Sequence, residues 1–290
     1  MDISPETQAK LDKLLAKVDE LIPPVETVRF KLSRDSTTVF DSKLGGVPYF
    51  PKAIEYPTVR EGESKGKPLK LLAQLNFGAL PKLAGFPTEG ILQFFAYPDD
   101  LYGADFDAPC DQNSFRVIYH ENVITDTSAL IDSVPALEID EELFPFTGEF
   151  LLTADKPAKM GAVATDFRFD KAVAAAYNEI FGGDVVGMWD ENGKGIRQVD
   201  KELYSAIHSR YSSKTRVGGY PFFMQEDPRG YDDKYSRHTI MLFQSDSENV
   251  GDNWENGVCW GDVGVANFFI TPDDLAKRDF SNVMYTWDCG

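Results

Sequence analysis

Cysteine and histidine are scarce in this chain, with only three of each among 290 residues. The cysteines, Cys110, Cys259 and Cys289, form no CxxC pair. Their odd number, together with the lack of a signal peptide, predicts a reducing compartment, namely a bacterial-type cytoplasm. The histidines are scattered along the chain, so no set with metal-ligand spacing is formed. We therefore expect neither a metal nor a cofactor.

Positive charge and long apolar segments are also in short supply. Lys and Arg number 29 against 47 Asp and Glu, which gives a formal net charge of −18. Nucleic-acid backbones and anionic membranes both require a basic face, so we predict neither as a partner. No apolar run approaches the roughly 20 residues of a membrane helix. The charge favours solubility, and it would suit a basic protein or peptide as a partner; the oligomeric state is left open.

Aromatic residues, in contrast, are plentiful at 13% of the chain, which is typical of a folded globular protein. The N-terminus predicts an amphipathic helix. Ser4 suits the N-cap and Pro5 the first helical position, and the leucines and valine that follow form one stripe up to Pro23. This stripe is typical of core packing, and a partner-docking helix is the alternative.

The strongest pattern is an internal similarity. Residues 90–106 (GILQFFAYPDDLYGADF) align without a gap to residues 264–280 (GVANFFITPDDLAKRDF), and nine of the 17 positions are identical. KLGGVPYF at 43–50 likewise resembles RVGGYPFF at 216–223. The aromatic and β-branched segments in both copies predict strands, with antiparallel pairing favoured because few helix-length segments separate them.

We therefore predict an α+β fold of mostly antiparallel sheets, with two pseudo-two-fold related halves from an internal duplication and helical decoration. The predicted organisation is an N-terminal amphipathic helix and lead-in (1–42), a first repeat half (43–119), an acidic and helical insertion (120–215) and a second repeat half (216–290). Within the insertion, Asp170 is predicted to cap a helix over 171–181, and a second helix is predicted over 199–212. The halves are expected to fuse into one globular unit.

Two repeated motifs have structural interpretations. Thr271-Pro-Asp-Asp reads as a helix start, with a capping hydroxyl, a proline at the first position and acids that complement the helix dipole. The Gly-Gly-x-Pro motifs at 45–48 and 218–221 lack the spacing of phosphate-binding loops, so they predict turns with positive φ.

The candidate binding residues fall into two groups. Gln74 and Gln244 occupy matched positions in apolar strands, where their amides either satisfy the backbone or face each other across a cleft. The second group lies in the C-terminal half, where aromatic rings near carboxylates are able to hold a sugar face or a peptide. Its members are Trp260, Asp262, Trp287 and Asp288, with Trp254 nearby. No catalytic residue is assigned, because no nucleophile–base set or GxSxG motif is present.

The same residues resemble a known family. The similarity lies in Gly45-Gly46-x-Pro48, Leu71-Leu72-x-Gln74-Leu75, Phe86-Pro87-x-x-Gly90-x-Leu92-Gln93-Phe94-Phe95, Trp260-Gly261-Asp262-x-Gly264, Phe268-Phe269-Ile270, Asp279-Phe280 and Tyr285-x-Trp287-Asp288. From about residue 25 to the end, the chain resembles the bacterial YwqG-like family of unknown function. The resemblance implies a cytoplasmic protein with a duplicated α+β fold, and it brings no reaction or catalytic residue. Relatives are suspected of protective or interaction roles near toxin genes.

Three functional hypotheses remain. The first is a non-enzymatic protein that binds a basic protein or peptide through an acidic aromatic cleft. The second is a carboxylate-based hydrolase of a glycan or small metabolite, with Asp262, Asp288 and Glu89 as candidates and Trp260 or Trp287 as a platform; it requires two carboxyl groups facing each other. The third is a small-ligand sensor with Gln74 and Gln244 in its cleft.

Overall fold

The computed structural model describes residues 3–137, 143–210, 213–251 and 256–290. Within them the chain forms eleven strands and five α-helices. The strands are β1 (Val25–Ser33), β2 (Lys43–Gly45), β3 (Lys70–Asn76), β4 (Ile91–Ala96), β5 (Phe115–His120), β6 (Glu149–Ala154), β7 (Ala158–Met160), β8 (Arg216–Gly218), β9 (Ile240–Asp246), β10 (Val265–Ile270) and β11 (Met284–Asp288). The helices are α1 (Pro5–Leu21), α2 (Phe169–Phe181), α3 (Ile196–Val199), α4 (Lys201–His208) and α5 (Pro272–Lys277).

All of these strands belong to one sheet, curved into a half-barrel. Its order is β11-β10-β9-β8-β1-β6-β2-β3-β4-β5, with β7 paired to β1, and every pairing is antiparallel. The predicted α+β class is therefore wrong, because the protein is mainly β. The antiparallel pairing was predicted, but separate halves from a duplication are not shown: one continuous sheet runs through both predicted halves.

The strand β1 explains this continuity. One of its edges pairs with β8 through Thr27, Val28 and Arg29, whereas Phe30 to Ser33 pair with β6. β6 in turn pairs with β2. Two strands outside the predicted halves, β1 and β6, thus join the β8–β11 wing to the β2–β5 wing.

Several local predictions are confirmed. The Ser4 hydroxyl caps α1 by accepting a hydrogen bond from the Thr7 N–H at 3.1 Å, and the helix ends at Leu21, just before the two prolines. The Thr271 hydroxyl accepts from the Asp274 N–H in the same way and starts α5. The cap predicted at Asp170 is wrong, because α2 begins at Phe169 and has no side-chain cap. Likewise, α4 begins after Asp200 rather than at residue 199.

The Gly-Gly-x-Pro motifs form turns, as the sequence predicts. Gly45 and Gly218 have φ values of 65° and 68°, in the left-handed region. A side chain would also collide with backbone there, since a Cβ would lie 2.4 Å from the Gly148 oxygen at Gly45 and 2.6 Å from the Glu26 oxygen at Gly218. Glycine is required at both positions for backbone conformation and for close approach.

The main core lies inside the curved sheet, where the two wings face each other. The Phe94 ring of β4 lies 4.7 Å from the ring of Phe268 in β10 and 5.2 Å from Phe243 in β9. Phe268 also stacks on Tyr285 of β11, with centroids 4.4 Å apart. All four side chains are buried. Aromatic contacts across the core therefore fix the curvature of the sheet.

The outer face of the sheet is covered in three patches. Helices α1, α2 and α4 form a second apolar layer over the region around β1 and β7. The segment with Phe50, Val59 and Leu69 covers the β2–β5 wing. Phe223 and Tyr235 cover the other wing. These patches cover side chains that would otherwise be exposed on the outer face of the strands. For this reason β4 and β10 are buried along their whole length.

Asp246, the last residue of β9, gives a pH prediction. Burial raises the pKa of its carboxyl to about 6, and Lys214 and Arg216 only partly oppose this. Because the folded pKa lies above the unfolded value, the protein loses stability as the pH rises from about 4 to 6. Asp246→Asn should therefore raise the free energy of unfolding by about 1–3 kcal/mol at pH 7 and by much less at pH 4.

Urea denaturation of both proteins at the two pH values measures this difference. Asp107→Asn, at an exposed carboxyl, serves as the matched substitution. Equal effects of Asp246→Asn at pH 4 and pH 7 would contradict the prediction.

Candidate functional site

The side-chain amide of Gln74 is fully hydrogen-bonded, mostly to backbone groups around it. Its oxygen accepts from the Tyr49 N–H at 2.8 Å and from Gln93 Nε2 at 2.8 Å, and its Nε2 donates to the carbonyls of Val39 and Asp41. Gln93 itself contacts His120, whose pKa burial lowers to about 4. These hydrogen bonds hold the segment around Tyr49 against the outer face of the sheet.

Gln244 makes equivalent bonds in the other wing. Its oxygen accepts from the Phe222 N–H at 2.8 Å and from Arg216 Nη2 at 3.1 Å, and its Nε2 donates to the Lys214 carbonyl. The neighbouring residues Phe243 and Leu242 face the core, whereas Gln244 faces outward beneath the covering segment. Gln74 likewise faces away from the core in its own wing. The structure therefore does not bring the two amides together across a cleft.

The C-terminal group of predicted residues lies elsewhere, beside an open groove at the end of β11. The groove has a volume of 640 Å³. Its lining residues come from three separate parts of the chain and are Phe106, Phe223, Gln225, Glu226, Pro228, Tyr231, Thr286, Trp287, Asp288 and Cys289. Two of the predicted residues, Trp287 and Asp288, are among them.

Trp287 is held firmly in the groove wall. Its Nε1 donates to the Leu101 carbonyl at 2.8 Å, and its ring packs against Tyr102 and Phe106 with centroids 4.9 and 6.0 Å apart. Trp260 lies behind it, fully buried, with its Nε1 donating to the Ser245 hydroxyl at 3.2 Å. Of these two predicted tryptophans, Trp287 therefore lines the groove, and Trp260 supports it from behind.

Asp288 is the polar centre of the groove. Its Oδ2 accepts from the Gln225 N–H at 2.7 Å, whereas its Oδ1 is shielded from solvent and has no hydrogen-bond partner among the described residues. Burial raises the pKa of this carboxyl, and the backbone N–H groups of Gln225 and Met224 offset part of that increase. A buried carboxylate oxygen without a partner costs free energy, which a donor from a ligand would recover.

A buried ionic network fixes the opposite wall. Asp227 lies between the lining residues Glu226 and Pro228, and both of its oxygens accept from the Arg229 guanidinium, at 2.9 and 2.6 Å. Arg229 also reaches Asp166 at 3.2 Å, and it packs over the Phe269 ring. The wall is thereby tied to the outer face of the sheet.

Exposed aromatic residues line this groove, and two residues with positive φ lie near it. Phe106 and Tyr231 are 49% and 69% exposed. Tyr102 and Val263, which flank the C-terminal strand, have φ values of 50° and 56°, unusual for residues with side chains and especially for β-branched valine. Strain of this kind collects at functional sites because the surrounding structure must hold it in place.

The remaining predicted residues do not line the groove. Asp262 is exposed in the turn before β10, where its carbonyl accepts from the Gly290 N–H. Glu89 lies in the loop before β4. Trp254 lies outside the described residues. The structure thus does not gather the three carboxylates of the hydrolase hypothesis at this groove.

Sequence reasoning missed Phe106, Glu226 and Tyr231. Phe106 appears in the internal similarity, where it reads as a structural match to Phe280. Glu226 and Tyr231 fall in the acidic loop 225–233, which reads as solvated surface. Tyr231 is an aromatic residue within an otherwise polar loop, and this is the one signal in the sequence that distinguishes the loop from ordinary surface.

Comparison with known families bears on the whole of this region. Residues 42–289 match a family described as Domain of unknown function (DUF1963). The chain belongs to this family. The DUF1963 match spans both wings of the sheet and every residue of the groove, and it leaves α1 and β1 outside. No curated protein matches the chain. The finer YwqG-like assignment stays a prediction.

Two further findings bear on the kind of site that this DUF1963 protein carries. Among the described residues, no three His, Cys, Asp or Glu side chains are grouped closely enough to hold a metal ion. No helix in those parts of the chain has the length and apolar character needed to cross a bilayer.

Proposed function

We propose that the protein binds a basic segment of another protein or peptide in the groove beside β11. An arginine or lysine side chain of the partner lies against Trp287 and Tyr231 and pairs with the carboxylate of Asp288. The unpartnered, shielded oxygen of Asp288 beside exposed aromatic rings is the observation that carries this proposal.

The chemistry of the groove matches a cationic side chain. Aromatic faces attract cations by about 0.5–2 kcal/mol, and the attraction grows as the cation loses water. Hydrogen bonds between charged groups contribute about 1.5–3 kcal/mol each. Glu226 adds a second negative charge to the lining, and the net charge of −18 favours encounter with a basic partner.

The groove is also rigid before any partner arrives. The hydrogen bond from Trp287 fixes one wall, and the Asp227–Arg229–Asp166 network fixes the other. Little side-chain freedom is then lost on binding, so more of the interaction energy contributes to affinity. This arrangement favours a binding protein over the hydrolase, whose predicted carboxylates Asp262 and Glu89 do not line the groove with Asp288.

Asp288→Asn tests the proposal. We expect the variant to bind a short arginine-containing peptide about tenfold more weakly or worse, since it loses a charge-assisted hydrogen bond. Titration followed by tryptophan fluorescence or calorimetry measures the affinity. The same peptide with citrulline in place of arginine is the neutral control, and Glu63→Gln, an exposed carboxyl in another loop, is the matched control variant.

Binding should also weaken as the pH falls through the raised pKa of Asp288, because the protonated carboxyl no longer attracts a cation. Equal affinity for the arginine and citrulline peptides, or an unchanged affinity in Asp288→Asn, would refute the proposal.

A further inference from the structure

A second cavity lies between the sheet and the helical layer, away from the β11 groove. Its volume is 210 Å³, which is room for several water molecules. Thr27 and Arg29 of β1 form one side, and Leu15, Phe169 and Ile207 of the helices form an apolar floor. Residues 161–164 also line the cavity.

Arg29, which lines this cavity, lies opposite a second arginine in the sheet. Arg29 of β1 pairs directly with Arg216 of β8 in the antiparallel register. Arg216 is fully buried and donates to the Tyr220 carbonyl and to Gln244. Burial, together with the charge of Arg29, lowers the pKa of Arg216 to about 10. Like charges placed directly opposite each other on neighbouring strands destabilise a sheet.

Arg29 and Arg210 both line this cavity, and both are exposed to solvent. The ion pairs found in the described parts of the chain include neither guanidinium. Asp19 is the acid that interacts with Arg210, and it lies at the Gly161 end. Lys159 borders the cavity, and the register sets it opposite Glu26.

Other charges lie on the far side of Arg216. Asp246 and Glu248 act on its guanidinium, and Lys214 pairs with Glu248. The cavity itself is therefore a locally positive site in a strongly acidic chain.

We propose that this cavity binds a small organic anion, a carboxylate or phosphate ester with an apolar part, held by the guanidinium groups of Arg29 and Arg210. Guanidinium groups match both anions because their planar N–H donors form two parallel hydrogen bonds. The apolar part contacts Leu15, Phe169 and Ile207. This site is independent of the groove at β11 and does not rest on the function proposed for it.

Benzoate and phenyl phosphate are suitable probes, and benzamide is the neutral counterpart of benzoate. At constant ionic strength, at least one of the two anions should raise the melting temperature saturably, because a ligand that binds only the native state stabilises it. Comparing the two anions distinguishes a carboxylate site from a phosphate site. A shift with neither anion across the millimolar range, or an equal shift with benzamide, overturns the proposal.

Arg29→Gln and Arg210→Gln should each weaken binding of the preferred anion about tenfold or more. Arg237→Gln is the control, since Arg237 is exposed and pairs with the exposed Asp273. Unchanged binding in both cavity variants overturns the proposal. The ligand-free Arg29→Gln protein should also melt at a higher temperature than the parent, because the opposed arginine is gone. A lower melting temperature with binding retained would mean that Arg29 has a structural role.

Discussion

Replacing Arg229 with methionine is expected to lower the free energy of unfolding by about 3–5 kcal/mol. Arg229 is fully buried, and it neutralises Asp227 and Asp166, which are also buried. Its Nη1 further donates to the His238 carbonyl at 2.9 Å. Methionine fills much of the volume, but it leaves Asp227 without its cation in a region that excludes water, and Asp166 keeps only its ion pair with Arg168. Urea denaturation at pH 7 measures the loss.

Replacing Asp227, the carboxylate left without its cation, should recover part of this stability. In the double variant Asp227→Asn/Arg229→Met, the amide oxygen still accepts from the backbone, and one buried charge is gone. Arg237→Met, at an exposed ion pair, should cost less than about 1 kcal/mol. If Arg229→Met costs no more than Arg237→Met, the network does not stabilise the fold in the way described.

Phe268→Ala is expected to destabilise the protein by about 3–5 kcal/mol, as large-to-small substitutions of buried aromatic residues do. The ring of Phe268 contacts Phe94 in the β2–β5 wing and Tyr285 in the β8–β11 wing. Its loss opens a cavity where the wings meet. The free energy of unfolding, from thermal or chemical denaturation, is the measurement. Ile54→Ala, at a 45% exposed position, should stay within about 0.5 kcal/mol of the parent.

A double-mutant cycle separates the contact between the wings from burial alone. Phe94→Leu and Phe268→Leu should show a coupling energy of about 0.5–1.5 kcal/mol, because the two rings interact directly. A coupling energy near zero would show that the wings do not meet at these rings.

Local features of this fold could be predicted because they depend on neighbouring residues. Ser4 and Thr271 cap helices through side chains three residues from their partners, and the glycine pairs impose their turns through their own φ values. The continuous sheet could not be predicted in this way. It depends on the pairing of β1 with β6 and β8, strands far away in sequence, and β6 lies in a segment that reads as an insertion.

The site was predictable in part for the same reason. Trp287 and Asp288 stand out because an aromatic ring adjoins a carboxylate in sequence. Phe106 and Tyr231 join them only after folding, when the loop before β5 and the loop before β9 meet at the end of β11. Gln74 and Gln244 attracted notice as polar residues in apolar strands, and the geometry explains their presence by the backbone groups that they satisfy.

The position of β1 has a consequence for biosynthesis. This strand is made early, yet its partners at residues 151–154 and 216–218 leave the ribosome much later. The backbone N–H and C=O groups of β1 therefore stay without their strand partners until β6 and β8 have been translated. The nascent chain therefore carries an incomplete sheet with an unpaired strand for much of its synthesis, a state that is prone to aggregation and suited to chaperone binding.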